Sequence, residues 1–127
     1  MSSDADFRNR LQFLFSRYAE NDAIEVIALA TTDGFPVFSI NQGAENFAED
    51  TLSAAASTLH SVSNAVARQI LGKRFKITFI ESEQGNVAFV ALTLAGHDYV
   101  LVMSARQSLN IASLRLLINR LANEIGQ

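Results

Sequence analysis

Residues 47–71 read FAEDTLSAAASTLHSVSNAVARQIL. The spacing predicts one long helix, closed by Gly72 at a position where glycine readily turns left-handed. Ala48, Leu52, Ala55, Leu59, Val62, Val66 and Ile70 recur every three or four residues and mark one face. The opposite face carries Asp50, Ala54, Ser57, Ser61, Asn64 and Arg68. From Thr51 through Ala67 there is no Asp, Glu, Lys or Arg. A helix with one face on a core normally spends charge on the other, where it meets water. The expectation is therefore that both faces are covered. The Leu/Val face lies on a sheet, and the Ala/Ser face lies against a helix of another chain.

Working outward, the preceding stretch IEVIALATTDGFPVFSI (24–40) reads as a hairpin. Its turn is Thr32-Asp33-Gly34, and Pro36, the only proline, assigns the returning strand to a sheet edge. Before it, Phe7, Leu11, Leu14, Phe15 and Tyr18 make one helical stripe, with Ser2, Ser3 and Asp4 as the cap and Asn21-Asp22 as the end. After the long helix come FKITFIE (75–81), VAFVALTL (87–94) and YVLVMSA (99–105), separated by short turns that predict antiparallel neighbours. A last helix is expected over 109–125, capped by Ser108, with the stripe Leu114, Leu117, Ile118, Leu121 and Ile125. The predicted class is α+β in the order α-β-β-α-β-β-β-α. A five-stranded antiparallel sheet carries the long middle helix on one face and the terminal helices on the other. Residues 1–127 are expected to form one domain.

Composition narrows the function. The chain of 127 residues is 49% hydrophobic and 18% charged, with a net charge of -3. Its mean hydropathy of +0.16 is high for so small a soluble protein, which again implies surface covered by another chain. Ten basic against thirteen acidic residues leave no electrostatic footprint for nucleic acid. There are no cysteines, which removes disulfides, thiol catalysis and Cys-based zinc sites. MSSDADFRNR holds two acids and no apolar run, so no signal peptide is expected there. The longest apolar runs have strand length, so no membrane span and a cytoplasmic location are expected.

Candidate chemistry is sparse. His60 and His97 are far apart in sequence and share no helical ligand spacing. Glu81 and Glu83 sit near a turn, where two acids usually serve solvation. Lys73-Arg74 follows the helix end, where cations suit the helix dipole. No phosphate-binding glycine loop, nucleophile elbow or zinc-protease motif occurs. The expectation is no metal, no cofactor and no catalysis.

The four pieces in this order resemble the Roadblock family, which includes Roadblock-type dynein light chains, bacterial MglB proteins and scaffold subunits. The resemblance is carried by the hairpin with Asp33-Gly34, the Ala-rich helix, the three-strand meander and SLNIASLRLLINRLANEI (108–125). In that last stretch Asn110 and Leu114-Arg115 are kept in kind, while Ala112 stands where the family often has glycine. The resemblance implies a dimer in which the middle helices (47–71) pair antiparallel. The first meander strand (75–81) pairs with its counterpart to give one continuous sheet. Combined with the uncharged face, this nominates Ala54, Ser57, Ser61, Asn64, Phe75, Ile77 and Phe79 for the dimer interface. Asp50, Ser53, His60 and Arg68 are nominated for a partner-binding rim. MglB-like members bind a small Ras-like GTPase and modulate its nucleotide cycle; other members are adaptors or scaffolds. A ligand sensor of the PAS or GAF kind is a third reading, which well-filled Leu, Val and Phe positions disfavour.

Overall fold

The computed structural model describes residues 2–127, with side chains from Asp4 onward. The elements are α1 (Ser2–Tyr18), β1 (Ile24–Thr31), β2 (Pro36–Asn41), α2 (Glu49–Leu71), β3 (Ile77–Ser82), β4 (Gly85–Leu94), β5 (His97–Arg106) and α3 (Ile111–Ile125). All strand pairs are antiparallel, and the sheet order is β2-β1-β5-β4-β3. The expected class and element order hold. Several boundaries move. The first helix already includes Ser2, so Ser2, Ser3 and Asp4 lie within it instead of capping it. The cap of α3 is Asn110, whose Oδ1 accepts the Ser113 N–H at 2.8 Å, and Ser108 is exposed. Asn110 takes this role because it stands three residues before a free first-turn N–H, which Ser108 does not.

Strand alternation divides the core into two layers. Ile27, Leu29, Ala88, Val90, Leu101 and Met103 pack beneath α1 and α3, together with Leu11, Phe15, Leu114, Ile118 and Leu121. Tyr18 ties the two helices by donating its hydroxyl to Glu124, and Arg10 reaches the Glu124 carbonyl. The other layer is thinner: Val26, Ala28, Phe89, Val100 and Val102 face α2, with Ala56 fully buried against them. As Pro36 requires, β2 is an edge. That edge is guarded, because Arg8 donates to the Val37 carbonyl at 2.6 Å and the Ser39 hydroxyl donates to Glu49.

The candidate interface on α2 and β3

The long helix sits on the sheet in a different rotation from the one its hydrophobic stripe implies. Ser53 and Ala56 are its buried residues. Ser57 donates its hydroxyl to the Thr32 carbonyl, Ser63 and Thr78 share a hydroxyl hydrogen bond of 2.7 Å, and the Asn64 Oδ1 accepts the Phe75 N–H at 3.2 Å. The small polar residues thus face the chain's own sheet and flanking loops. Gly34 takes φ 98° in the turn beside α2, a left-handed conformation that favours glycine; a side-chain carbon there would make only ordinary contact, 3.7 Å from both the Ala54 Cα and the Ser57 Cβ. By contrast Val62, Val66 and Ile70 are 54%, 51% and 74% exposed, and Leu71 is also bare.

The period of the stripe accounts for only a small part of this. Ala55, Leu59, Val62 and Val66 follow a 4-3-4 spacing, a heptad pattern. A straight helix turns away from such a pattern by roughly 20° per heptad. Leu52 and Leu59, on one margin of the stripe, touch the sheet, whereas Ala55, Val62 and Val66, on the other margin, are exposed. Small residues occupy the sheet side because α2 lies close to the strands. The helix is therefore turned by roughly a quarter turn from the predicted seating, so that residues between the two predicted faces, Ser53, Ala56 and Ser63, meet the sheet.

The nominated residues separate accordingly. Ser57 and Asn64 are engaged by their own chain, while Ala54 and Ser61 are exposed. Ser53 is 3% exposed and cannot meet a partner, and His60 is half-buried against the Phe75 ring with centroids 5.1 Å apart. Asp50 and Arg68 remain exposed on one outward line of the helix. Phe75 precedes β3, which starts at Ile77. The Ile77 and Phe79 side chains pack into the layer under α3, and Arg115 lies over the Phe79 ring at 5.0 Å. Val62, Val66, Ile70, Leu71 and Ile80 were not nominated from the sequence; the heptad spacing was the signal that could have found all but the last two.

Burial beside Phe75 holds the His60 imidazole below its ordinary pKa of 6.5, with Asp98 opposing and Arg74 reinforcing the shift. A depressed histidine pKa means that the folded state binds the proton less well than the unfolded state. The associated stability is complete above about pH 6.5 and is lost as pH falls through the lower folded value. Thermal midpoints should therefore drop between pH 7.5 and 5.5 in the wild type. They should drop less in His60→Gln; equal slopes would show that His60 does not contribute.

β3 is the second exposed edge, and it lacks the guards of β2. Lys76 accepts the Ala91 N–H, and the register pairs Thr78 with Phe89 and Ile80 with Val87. By antiparallel alternation the N–H and C=O groups of Ile77, Phe79 and Glu81 then point away from β4, along an open edge. An open groove lies between this edge and the end of α2, lined by Val62, Val66, Leu71, Thr78 and Arg115. Among the described residues no group of His, Cys, Asp or Glu is arranged to hold a metal, and no helix is long and apolar enough to cross a membrane.

The fold is shared with solved structures. MglB of Myxococcus xanthus superimposes with a TM-score of 0.77 at 17% identity, covering 99% of this chain and 89% of that one. The gliding protein MglB of Thermus thermophilus gives 0.78 at 18% identity, with 94% and 88% covered. A Roadblock/LC7 domain of Streptomyces avermitilis gives 0.68 at 16%, with 81% and 82% covered. No curated protein matches the chain in sequence. Residues 10–105, which run from α1 to the end of the sheet, match the family model of the Roadblock/LC7 domain, and the chain belongs to that family.

Proposed function

We propose that the chain is a regulatory adaptor module that works as a homodimer and acts by binding instead of by catalysis. One observation carries the dimer: α2 is longer than its own sheet is wide. Glu49 contacts Ser39 on β2, and Ser63 contacts Thr78 on β3. The helical rise between them is about 21 Å, close to the ~19 Å spanned by four strand spacings. The residues from Asn64 to Leu71 add about 12 Å more. Val66, Ile70 and Leu71 therefore project past the edge strand, apolar and bare. A second copy joined along β3 supplies what is missing, a continuing sheet beneath them and a matching helix beside them. Apolar surface of this kind is what a stable association buries.

The dimer's outward helix surface is proposed to bind a small Ras-like GTPase and modulate its nucleotide cycle. Family membership supports this reading, as does the exposed line Asp50, Ala54, Ser61 and Arg68, which the chain's own contacts leave free. Arginine is enriched at energetic hot spots and pairs bidentately with carboxylates. Immobilised wild type should capture a Ras-like GTPase from cytoplasm loaded with GTP or GDP, with a preference for one state. Arg68→Ala should weaken capture about tenfold, the equivalent of ~1.4 kcal/mol, and leave dimer mass and thermal midpoint unchanged. Capture of no GTPase in either state would shift the reading to a structural adaptor within a larger complex.

A further inference from the structure

From the edge groups of β3 we infer the register in which two copies join: the strands pair antiparallel about Phe79, and Arg115 of each copy meets Glu81 of the other. The inference rests on the dimer proposed above. Three residues, Ile77, Phe79 and Glu81, offer outward backbone groups. Centring the two-fold axis on Phe79 joins Ile77 to the partner's Glu81, Phe79 to Phe79, and Glu81 to Ile77, so every outward group finds a partner. Slipping toward the strand start sets Glu81 opposite Phe75, which lies outside the strand and whose N–H already donates to Asn64. Slipping toward the strand end sets Ile77 opposite Glu83, in the turn beyond Ser82. Each slip leaves a narrow pair unmade.

Charge supports the same register. Arg115 stacks on Phe79 and also lines the groove at the open edge with Thr78 and Leu71, so its guanidinium stands at the seam. It takes part in no ion pair among the described residues. Glu81 is exposed and is on the same sheet face as Phe79, two residues away. In the register about Phe79 the partner's Glu81 stands opposite Ile77, one step along the strand from the Arg115–Phe79 stack. The two-fold axis makes this contact twice.

The chain has no cysteine, so single cysteines report the register directly. Closely opposed residues in the non-hydrogen-bonded pairs are near 4.5 Å apart at Cα, within disulfide range. About Phe79 these pairs are Thr78 with the partner's Ile80. Mild oxidation should therefore cross-link a mixture of Thr78→Cys and Ile80→Cys chains, and neither variant alone. Self-cross-linking of Thr78→Cys, or of Ile80→Cys, would overturn the register while keeping the dimer. A dimer by light scattering with no cross-link in any combination would overturn the β3 pairing. A monomer would overturn the dimer itself. For the ion pair, Arg115→Glu and Glu81→Arg should each weaken self-association about tenfold, and the double variant should return to within about twofold. Additive losses in the double variant would remove Arg115 and Glu81 from the seam.

Discussion

Val66→Glu is expected to turn the dimer into a folded monomer. Light scattering after size exclusion should give about twice the chain mass of 13.9 kDa for the wild type and the chain mass itself for the variant. The asymmetry follows from burial. In the isolated chain Val66 is half exposed, so a glutamate there meets water and costs the fold little. At the proposed seam the same carboxylate is taken out of water twice, once from each copy, and only the exposed Arg74, Lys76 and Arg115 at the rim of the groove stand to offset it. An unpaired charge in such a place costs several kcal/mol, on the order of 3–5. That is enough to move a micromolar dimer to dissociation throughout the working range. The circular dichroism spectrum should be unchanged. A variant that stays dimeric would show that the projecting end of α2 is not in the interface.

Ala56→Leu should strike the fold instead. Ala56 is fully buried between α2 and the strand residues Val26, Ala28, Phe89, Val100 and Val102. Extra methylenes in that layer force α2 away from the sheet, at a cost of about 1–3 kcal/mol. The thermal midpoint should fall by several degrees. Self-association should weaken with it, because the seam stands on a correctly seated helix. Ala65→Leu is the control: it lies on the outward side of the same helix, is exposed, and should change stability by less than about 0.5 kcal/mol. The two alanines test the rotation of α2. Had the heptad stripe faced the sheet, the harmful change would instead be Ala55→Leu, at an alanine that lies on that stripe and is exposed here.

The two tests touch the sheet-facing and the projecting flanks of one helix, about 80° apart around its axis, and the sequence did not say which was which. Its uncharged run from Thr51 to Ala67 reads as a helix with little use for water, yet Ala54, Ala55, Ser61, Val62, Ala65 and Val66 are exposed in the single chain. The choice of faces depended on how near α2 approaches the strands. Hydrophobicity alone favours burying Leu and Val first. Ser53 and Ala56 take the positions nearest the strands, and the neighbouring Ser57 and Ser63 satisfy their hydroxyls on the Thr32 carbonyl and on Thr78. The larger Val62 and Val66 go to the flank, where a neighbour of their own kind can meet them.

By itself the sequence determined the element order, the edge position of the strand that carries Pro36, and the end of α2 at Gly72, whose φ of 67° is the left-handed turn expected there. Each follows from covalent geometry within a few residues: a missing N–H, a missing Cβ, a period of two or of nearly four. Tertiary structure alone decided the rotation of α2, the burial of Ser53 and the half-burial of His60 among the nominated rim residues, and the contrast between a guarded β2 edge and an open β3 edge. Those depend on distances between residues far apart in the chain, such as Arg8 and Val37 or Gly34 and Ser57, which no local pattern encodes.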